Sequence, residues 1–204
     1  MSEITDIKIA KGRKARKHIY IDDNYACSLD EFTIFKHKLH VGQSIELKDL
    51  EEICLESEIG TAFEKTVDLI SVTPKTRKQV YDNLHTKGYL PAVCNKVLDK
   101  LQEYHYIDDS QYAKYFVDTY KNKYGMKKIE YLLLQKGVKK SIIEQVLSEM
   151  DSQEEIVKQL ASKYMQAREK TTQNYQKLYR HLASKGFQHE TIMSAVNYLK
   201  EEYT

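Results

Sequence analysis

The triplet Lys136-Gly137-Val138, near the middle of the chain, has one counterpart on each side, Lys87-Gly88-Tyr89 and Lys185-Gly186-Phe187. The three glycines follow one another at intervals of 49 residues. The chain has only 7 glycines in 204 residues, so three of them occupy one position of a repeat. A fixed period of this length is typical of tandem structural repeats.

Apolar residues recur at fixed distances from each of these glycines. A leucine stands four positions before each one, and Cys94, Ile143 and Ile192 stand six positions after. Further apolar columns lie eight positions before and nine, ten and thirteen positions after. These distances have the period of an α-helix on both sides of a break, and columns 21 and 25 positions before the glycines indicate a third helix. Each repeat therefore predicts three helices, with the glycine ending the second in a left-handed conformation.

Helix-start signals help to place the nine helices. Thr73 followed by Pro74 is typical of a capping residue and a first helical position. Asp108 and Gln111 have the spacing of a capping box. The predicted helices cover roughly 61–72, 73–86 and 90–105, then 109–122, 126–136 and 139–150, then 153–168, 172–184 and 189–202.

The first sixty residues have a different pattern. Isoleucines alternate on both sides of a basic stretch, and Asp22-Asp23-Asn24 follows, which predicts three strands joined by a basic turn and an Asx-rich turn. A short helix is predicted near 29–37 and an acidic helix at 47–59. A three-stranded sheet of this size needs a helix on one face for stability.

The expected fold class is mainly α: an elongated, curved array of three tandem three-helix repeats, preceded by a small N-terminal β-meander and helix domain. A unit of 49 residues buries only a small core alone, so neighbouring repeats are expected to pack on one another. The predicted domains are residues 1–59, 60–107, 108–151 and 152–204.

Composition excludes several protein classes. The 7 glycines and 2 prolines are too few for the turns of a β-sandwich or barrel. The N-terminus is acidic and polar, which is not a secretory signal, and no apolar run has the length of a membrane span. The three cysteines, Cys27, Cys54 and Cys94, form no CxxC pair, so reduced thiols in a cytoplasmic protein are expected.

Motifs of catalysis are absent from the sequence. The glycines do not cluster, so neither a GxGxxG turn nor a P-loop is present, and no GxSxG or HExxH motif occurs. His37 and His40 could share a helix face, but no third metal ligand stands nearby in the sequence. We therefore expect no enzyme activity, no cofactor and no metal.

Positive charge is concentrated in two stretches, although the net charge is only +2. The first contains Lys11, Arg13, Lys14, Arg16 and Lys17; the second contains Lys121, Lys123, Lys127 and Lys128 around Gly125, with Tyr120 and Tyr124 and no acidic residue. Basic surfaces bind phosphate backbones, and exposed tyrosines, as Tyr120 and Tyr124 are expected to be, stack on unpaired bases. Charge runs are also common on faces that are simply solvated.

The lysine before each repeat glycine, at positions 87, 136 and 185, has two explanations. A cation in the last turn of a helix stabilises the negative end of the helix dipole. Alternatively, three equivalent repeats would present these lysines along one side of the array, toward a partner.

Two elements of the sequence resemble the RecX family of bacterial recombination regulators. The first is the stretch 73–89 together with Tyr106-Ile107-Asp108-Asp109 and the apolar residues that follow it. The second is Lys123-Tyr124-Gly125 followed by Ile129, Leu133 and Lys136-Gly137-Val138, which is similar to the family's central repeat. The resemblance covers about residues 60–204, and the N-terminal meander is similar to the extension of Gram-positive members. Many members have a serine and an acidic residue where this chain has Thr76 and Gln79.

The resemblance implies a non-enzymatic modulator, usually an inhibitor, of the recombinase RecA. Such proteins dock along the groove of RecA filaments on single-stranded DNA and act in the regulation of recombination, DNA repair and the SOS response. The implied partners are the RecA filament and single-stranded DNA, contacted directly or through RecA. We expect a monomer that binds no membrane.

Charge and repeat position, rather than the family motif, predict the residues that contact the filament or DNA. The primary set is Arg77, Lys78, Lys87, Lys123, Tyr124, Lys127, Lys128 and Lys136, with Arg13, Lys14, Arg16, Lys17 and Lys185 as additional contacts. The alternative hypothesis is a stand-alone DNA-binding or scaffold protein, since three-helix units also resemble helix-turn-helix modules. No single predicted helix has enough basic and amide residues on one side to favour a recognition helix.

Overall fold

The computed structural model describes residues 2–10 and 16–201, and these are mainly helical. Two compact units are present: the described residues up to Pro74 with Val80–Ile107, and Lys75–Gln79 with the residues from Asp108 onward. The elements are β1 (Ser2–Ile9), β2 (Arg16–Ile21), β3 (Asn24–Asp30), α1 (Glu31–Lys36), β4 (Ser44–Ile45), α2 (Leu47–Val72), α3 (Arg77–Thr86), α4 (Pro91–Glu103), α5 (Asp109–Tyr120), α6 (Met126–Gln135), α7 (Lys140–Ser148), α8 (Glu154–Met165), α9 (Thr172–Ser184) and α10 (His189–Glu201).

The N-terminal sheet is antiparallel, with strand order β3-β2-β1-β4. The predicted meander is confirmed, and Asp22 and Asp23 form its second turn, both with positive φ, as a two-residue type I′ hairpin requires. The prediction of three strands was incomplete, because β4 also pairs with the start of β1. Two residues are too short for an alternating pattern to reveal a strand.

One face of this sheet packs on α2. Ile4, Ile19 and Leu29 are fully buried and share a cluster with Leu50 and Ile53 of α2. Asp30 accepts hydrogen bonds from the Thr33 amide and hydroxyl and from the Ser57 hydroxyl, so it caps α1 and joins it to α2. This is the covering helix that so small a sheet needs.

Helix α2 differs from the prediction of separate helices at 47–59 and 61–72. It runs without interruption from Leu47 to Val72, through Gly60. A glycine costs a helix interior about 1 kcal/mol but does not end it. Its buried side chains recur at helical spacing on both sides of Gly60, so burial outweighs this cost; they include Ile53, Ser57, Ala62, Thr66 and Ile70.

The start of α3 also differs from the prediction. The helix begins at Arg77, so Thr73 ends α2 and does not cap α3. Thr76 is the capping residue: its hydroxyl accepts from the Gln79 amide at 3.2 Å, and the Gln79 side chain accepts from the Thr76 amide at 3.1 Å. This reciprocal pair is a capping box.

The three repeat glycines take the left-handed conformation that the sequence predicted. Gly88, Gly137 and Gly186 have φ of 87°, 81° and 84°. In each case the glycine amide and the following amide bond the helix carbonyls three and five residues back, as in a Schellman motif. The leucine four positions before each glycine is almost fully buried, and the apolar columns around it form the core of each repeat.

Alanine substitutions should separate these glycines from Gly60. In Gly88→Ala, the free energy of unfolding should fall by about 1–2 kcal/mol, because a side chain is strained at positive φ. In Gly186→Ala it should fall further, because the new Cβ would also overlap the backbone of Lys128.

The matched control is Gly60→Ala, where the helix is regular and nothing lies within 4 Å of a new Cβ. Here the free energy should rise by about 0.5–1 kcal/mol. Urea denaturation followed by circular dichroism measures all three. Equal effects at positions 60 and 88 would contradict the assigned backbone conformations.

Candidate functional site

Within the second unit, the start of a repeat's middle helix binds the glycine turn of the next repeat. The Thr76 hydroxyl, at the start of α3, donates to the Lys136 carbonyl at 2.6 Å. The Gly125 amide, at the start of α6, donates to the Lys185 carbonyl at 2.9 Å. Thr76 and Gly125 both stand 12 positions before the glycine of their own repeat, so the same docking contact occurs twice.

Close packing accompanies both hydrogen bonds. The aliphatic stem of Lys78 covers Gly137, and the backbone of Lys128 covers Gly186. Gly125 itself lies against Gly186, so that a side chain at either position would overlap the neighbouring backbone. These glycines therefore serve the contact between repeats as well as the turn.

The Asp108-Asp109 pair holds two helix starts together. Asp108 accepts hydrogen bonds from the Ser110 and Gln111 amides, which confirms its predicted role as the cap of α5. Asp109 accepts from the Arg77 amide at 2.8 Å, a contact between distant parts of the sequence that spacing did not reveal. The pair thus holds the first residue of α3 beside the start of α5.

The two docked helix starts are basic. Arg77 and Lys78 begin α3, Lys127 and Lys128 lie in the first turn of α6, and neither first turn contains an acidic residue. Cations are unfavourable at this end of a helix, because the helix dipole is already positive there. The Asp109 carboxylate offsets this at the start of α3, whereas none of the described carboxylates caps α6. Such a departure from a local stability rule is typical of a functional surface.

Tyr124 lies at the centre of the positive charge in the second unit. The Nζ atoms of Lys123 and Lys185 lie 5.2 and 5.9 Å from the centre of its ring, within cation–π distance. Lys185, predicted only as an additional contact, is therefore part of this cluster. The docking of Gly125 on the Lys185 carbonyl brings it there.

The prediction that Tyr120 and Tyr124 are exposed was wrong. Both are half-buried, and their rings continue a ladder that starts at Tyr112 and Phe116 on α5. The Gln153 side chain fixes the loop between α5 and α6 by donating to the Lys121 and Tyr124 carbonyls at 2.7 and 3.0 Å. No periodic pattern in the sequence marks Gln153.

The remaining residues of the primary set occupy other places. The Lys136 Nζ lies 5.6 Å from the centre of the Phe116 ring. Lys87 is exposed in the first unit.

Arg16 and Lys17, of the additional set, make contacts inside the N-terminal domain. The Arg16 guanidinium donates to the Thr61 hydroxyl at 2.8 Å and to the Ser28 carbonyl, so it joins β2 to β3 and α2. Lys17 pairs with Glu31 at 3.1 Å. Arg13 and Lys14 lie outside the described residues.

Electrostatics distinguish the central lysines from their neighbour Lys121. A hydrogen bond from Lys121 to Asp118 raises the pKa of this lysine and compensates its charge. Lys123, Lys127, Lys128 and Lys185 form no ion pair with any carboxylate in residues 2–10 and 16–201. The pKa of His181 is lowered, mainly by burial and to a smaller extent by the positive charges of Lys185 and Arg168. The central surface thus carries uncompensated positive charge.

Comparisons with known proteins place this architecture in a family. Sequence profiles of regulatory protein RecX match the N-terminal domain at residues 2–46 and the first, second and third three-helix domains at 62–101, 108–147 and 151–196. Regulatory protein RecX of Clostridium tetani is 34% identical over 98% of this chain and 95% of its own length. The chain belongs to the RecX family. Regulatory protein RecX of Clostridium botulinum is 35% identical over 96% of this chain and 95% of its own length.

Crystal structures of the RecX family have the same fold. One, of regulatory protein RecX, has a TM-score of 0.73 and 27% identity, and covers 94% of this chain and 97% of its own. Another, of RecX from Lactobacillus salivarius, has a TM-score of 0.65 and 26% identity over 70% of this chain and 97% of its own. The predicted resemblance and the three three-helix domains are confirmed, and the chain is a regulatory protein by family. None of the helices in the described part of the chain is long and apolar enough to cross a membrane.

Removal of one hydroxyl tests the docking contact. Thr76→Val leaves the Lys136 carbonyl and the Gln79 amide without their partner, and Thr76 is fully buried. We expect the free energy of unfolding to fall by about 1–3 kcal/mol. Thr86→Val is the control, because the Thr86 hydroxyl is exposed and bonds only its own helix. Urea denaturation of both variants is the measurement, and equal midpoints would contradict the assigned contact.

Proposed function

We propose that this RecX-family chain is a non-enzymatic, cytoplasmic regulator that binds the RecA filament on single-stranded DNA and inhibits or modulates RecA in recombination and DNA repair. The observation that carries the proposal is the pair of docked helix starts, Arg77-Lys78 and Lys127-Lys128, both basic in their first turn; in α6 none of the described carboxylates offsets this charge at the positive end of the helix dipole. A surface that places positive charge where stability disfavours it fits a polyanionic partner.

The proposed mechanism is a clamp. Repeats that carry equivalent basic groups at their middle-helix starts would offer these groups to equivalent subunits of a filament. The proposed contacts are Arg77, Lys78, Lys87, Lys123, Lys127, Lys128, Lys136 and Lys185. A protein that bridges neighbouring subunits competes with subunit addition, with rearrangements coupled to ATP hydrolysis or with a second DNA strand.

Tyr124 has a positioning role in this proposal. Its ring is half-buried, Tyr120 stacks on it, and two lysine ammonium groups lie within cation–π distance of it. Base stacking needs an exposed ring. The ring instead holds the Lys123 and Lys185 charges together on the surface.

A stand-alone duplex-binding protein is the alternative. Such a protein would insert a recognition helix into the major groove. The basic residues here lie at helix starts and turns rather than along one helix face, which favours contact with phosphates or acidic groups over reading of bases. The filament proposal is therefore preferred.

Suppression of RecA activity tests the proposal. At substoichiometric ratios, the protein should reduce DNA-dependent ATP hydrolysis by RecA, with binding to naked single-stranded and duplex DNA measured in parallel. Tight duplex binding without an effect on RecA would favour the alternative.

Charge reversal tests the central cluster. Lys123→Glu with Lys127→Glu should weaken binding to the RecA filament about tenfold or more and reduce its salt dependence, since fewer counterions are released. The matched control is Lys163→Glu with Lys177→Glu, because these residues are also exposed and the net charge changes equally. Fluorescence anisotropy with labelled filament at several salt concentrations measures both. The same loss in both double variants would indicate general charge rather than this cluster.

A further inference from the structure

The glycine turn of the first repeat lacks the covering that the other two have. A Cβ added at Gly137 or Gly186 would overlap residues at the starts of α3 and α6. A Cβ added at Gly88 would have nothing within 4 Å. No repeat precedes this turn in the chain, so none of the described hydrogen bonds ends on the Lys87 carbonyl.

The open turn already has the shape of the covered ones. Gly88 has φ of 87°, against 81° and 84° at the other glycines, and its turn makes the same two backbone hydrogen bonds. The Lys87 carbonyl therefore occupies the place in its turn that the Lys136 and Lys185 carbonyls occupy in theirs. The acceptor site is formed before anything binds to it.

In the third repeat, the residue two positions after the glycine touches the docked helix. This residue is Gln188, and its side-chain nitrogen lies 3.8 Å from the sulfur of Met126, the first residue of the docked helix α6. In the first repeat the same position is Leu90, whose surface is 66% exposed. An exposed leucine in that place offers an apolar contact to the first residue of an incoming helix.

We propose that the turn Lys87–Leu90 binds the start of an α-helix of a RecA filament subunit. The helix would begin with a Gly, Ser or Thr cap that donates to the Lys87 carbonyl, and its first helical residue would pack on Leu90. The inference rests on the proposed function and extends to a partner the contact that the chain makes twice with itself.

A second copy of the chain fits this turn less well. Among the described residues, the start of α9, the middle helix of the third repeat, bonds no glycine turn, so it is the start that a second copy would offer. Its residue 12 positions before the glycine is Asn174, which lies inside the helix, and the capping hydroxyl of Thr171 accepts from the Asn174 amide. This helix start does not repeat the arrangement of Thr76 or Gly125.

A photocross-linker at position 90 tests the inference. Leu90 is replaced by p-benzoylphenylalanine, the protein is irradiated on RecA filaments, and cross-linked peptides are mapped by mass spectrometry. We expect a cross-link to the first turn of a RecA helix. Cosedimentation without such a cross-link, or a cross-link to a second copy, would overturn the inference but leave the proposed function intact. Failure of the unmodified protein to cosediment would overturn the proposed function itself.

Truncation of the leucine gives a second measurement. Leu90→Ala should weaken filament binding several-fold with unchanged thermal stability, because the side chain is mostly exposed. Leu134→Ala is the control. Leu134 is also exposed, at 44%, but it is not the residue two positions after a repeat glycine. Equal binding by both variants would contradict a role for Leu90.

Discussion

One type of hydrogen bond recurs in the second unit: a donor at the start of a middle helix binds the carbonyl of the lysine before the next glycine turn. The donor is a hydroxyl at Thr76 and a backbone amide at Gly125. Either group satisfies a carbonyl at the end of a helix that would otherwise be left to water. The absence of a Cβ at Gly137 and Gly186 leaves space for the incoming helix start.

This constraint also arranges the charges. Because the start of α6 docks on the turn that ends α9, the Lys128 backbone lies against Gly186, and Lys185 lies with Lys123 over the Tyr124 ring. Lysines from distant parts of the sequence are thus brought together at one ring.

The sequence predicted those features that depend on local geometry. Left-handed glycines, buried columns at helical spacing and the Asp108 cap all follow from residues close in the chain. The start of α3 could not be chosen locally, because Thr73-Pro74 and Thr76-Gln79 are both valid start signals. The contacts of Thr76 with Lys136 and of Asp109 with Arg77 select the second one.

The same distinction applies to the candidate site. Charge density identified Lys123, Lys127 and Lys128, but the burial of Tyr124 depends on Lys185 and Gln153 from later in the chain. Arg16 was predicted as a partner contact on charge alone, and the structure uses its guanidinium inside the N-terminal domain. Tertiary contacts, which leave no periodic trace, decide these cases.

Hydrogen exchange at the Gly125 amide measures the central contact directly. This amide precedes α6, so only the Lys185 carbonyl can protect it, whereas the neighbouring Met126 and Lys127 amides lie in the first turn without helical acceptors. We predict that Gly125 exchanges much more slowly than Met126 and Lys127 under native conditions. Exchange of all three amides at the same fast rate would contradict the docking of α6 on the turn of the third repeat.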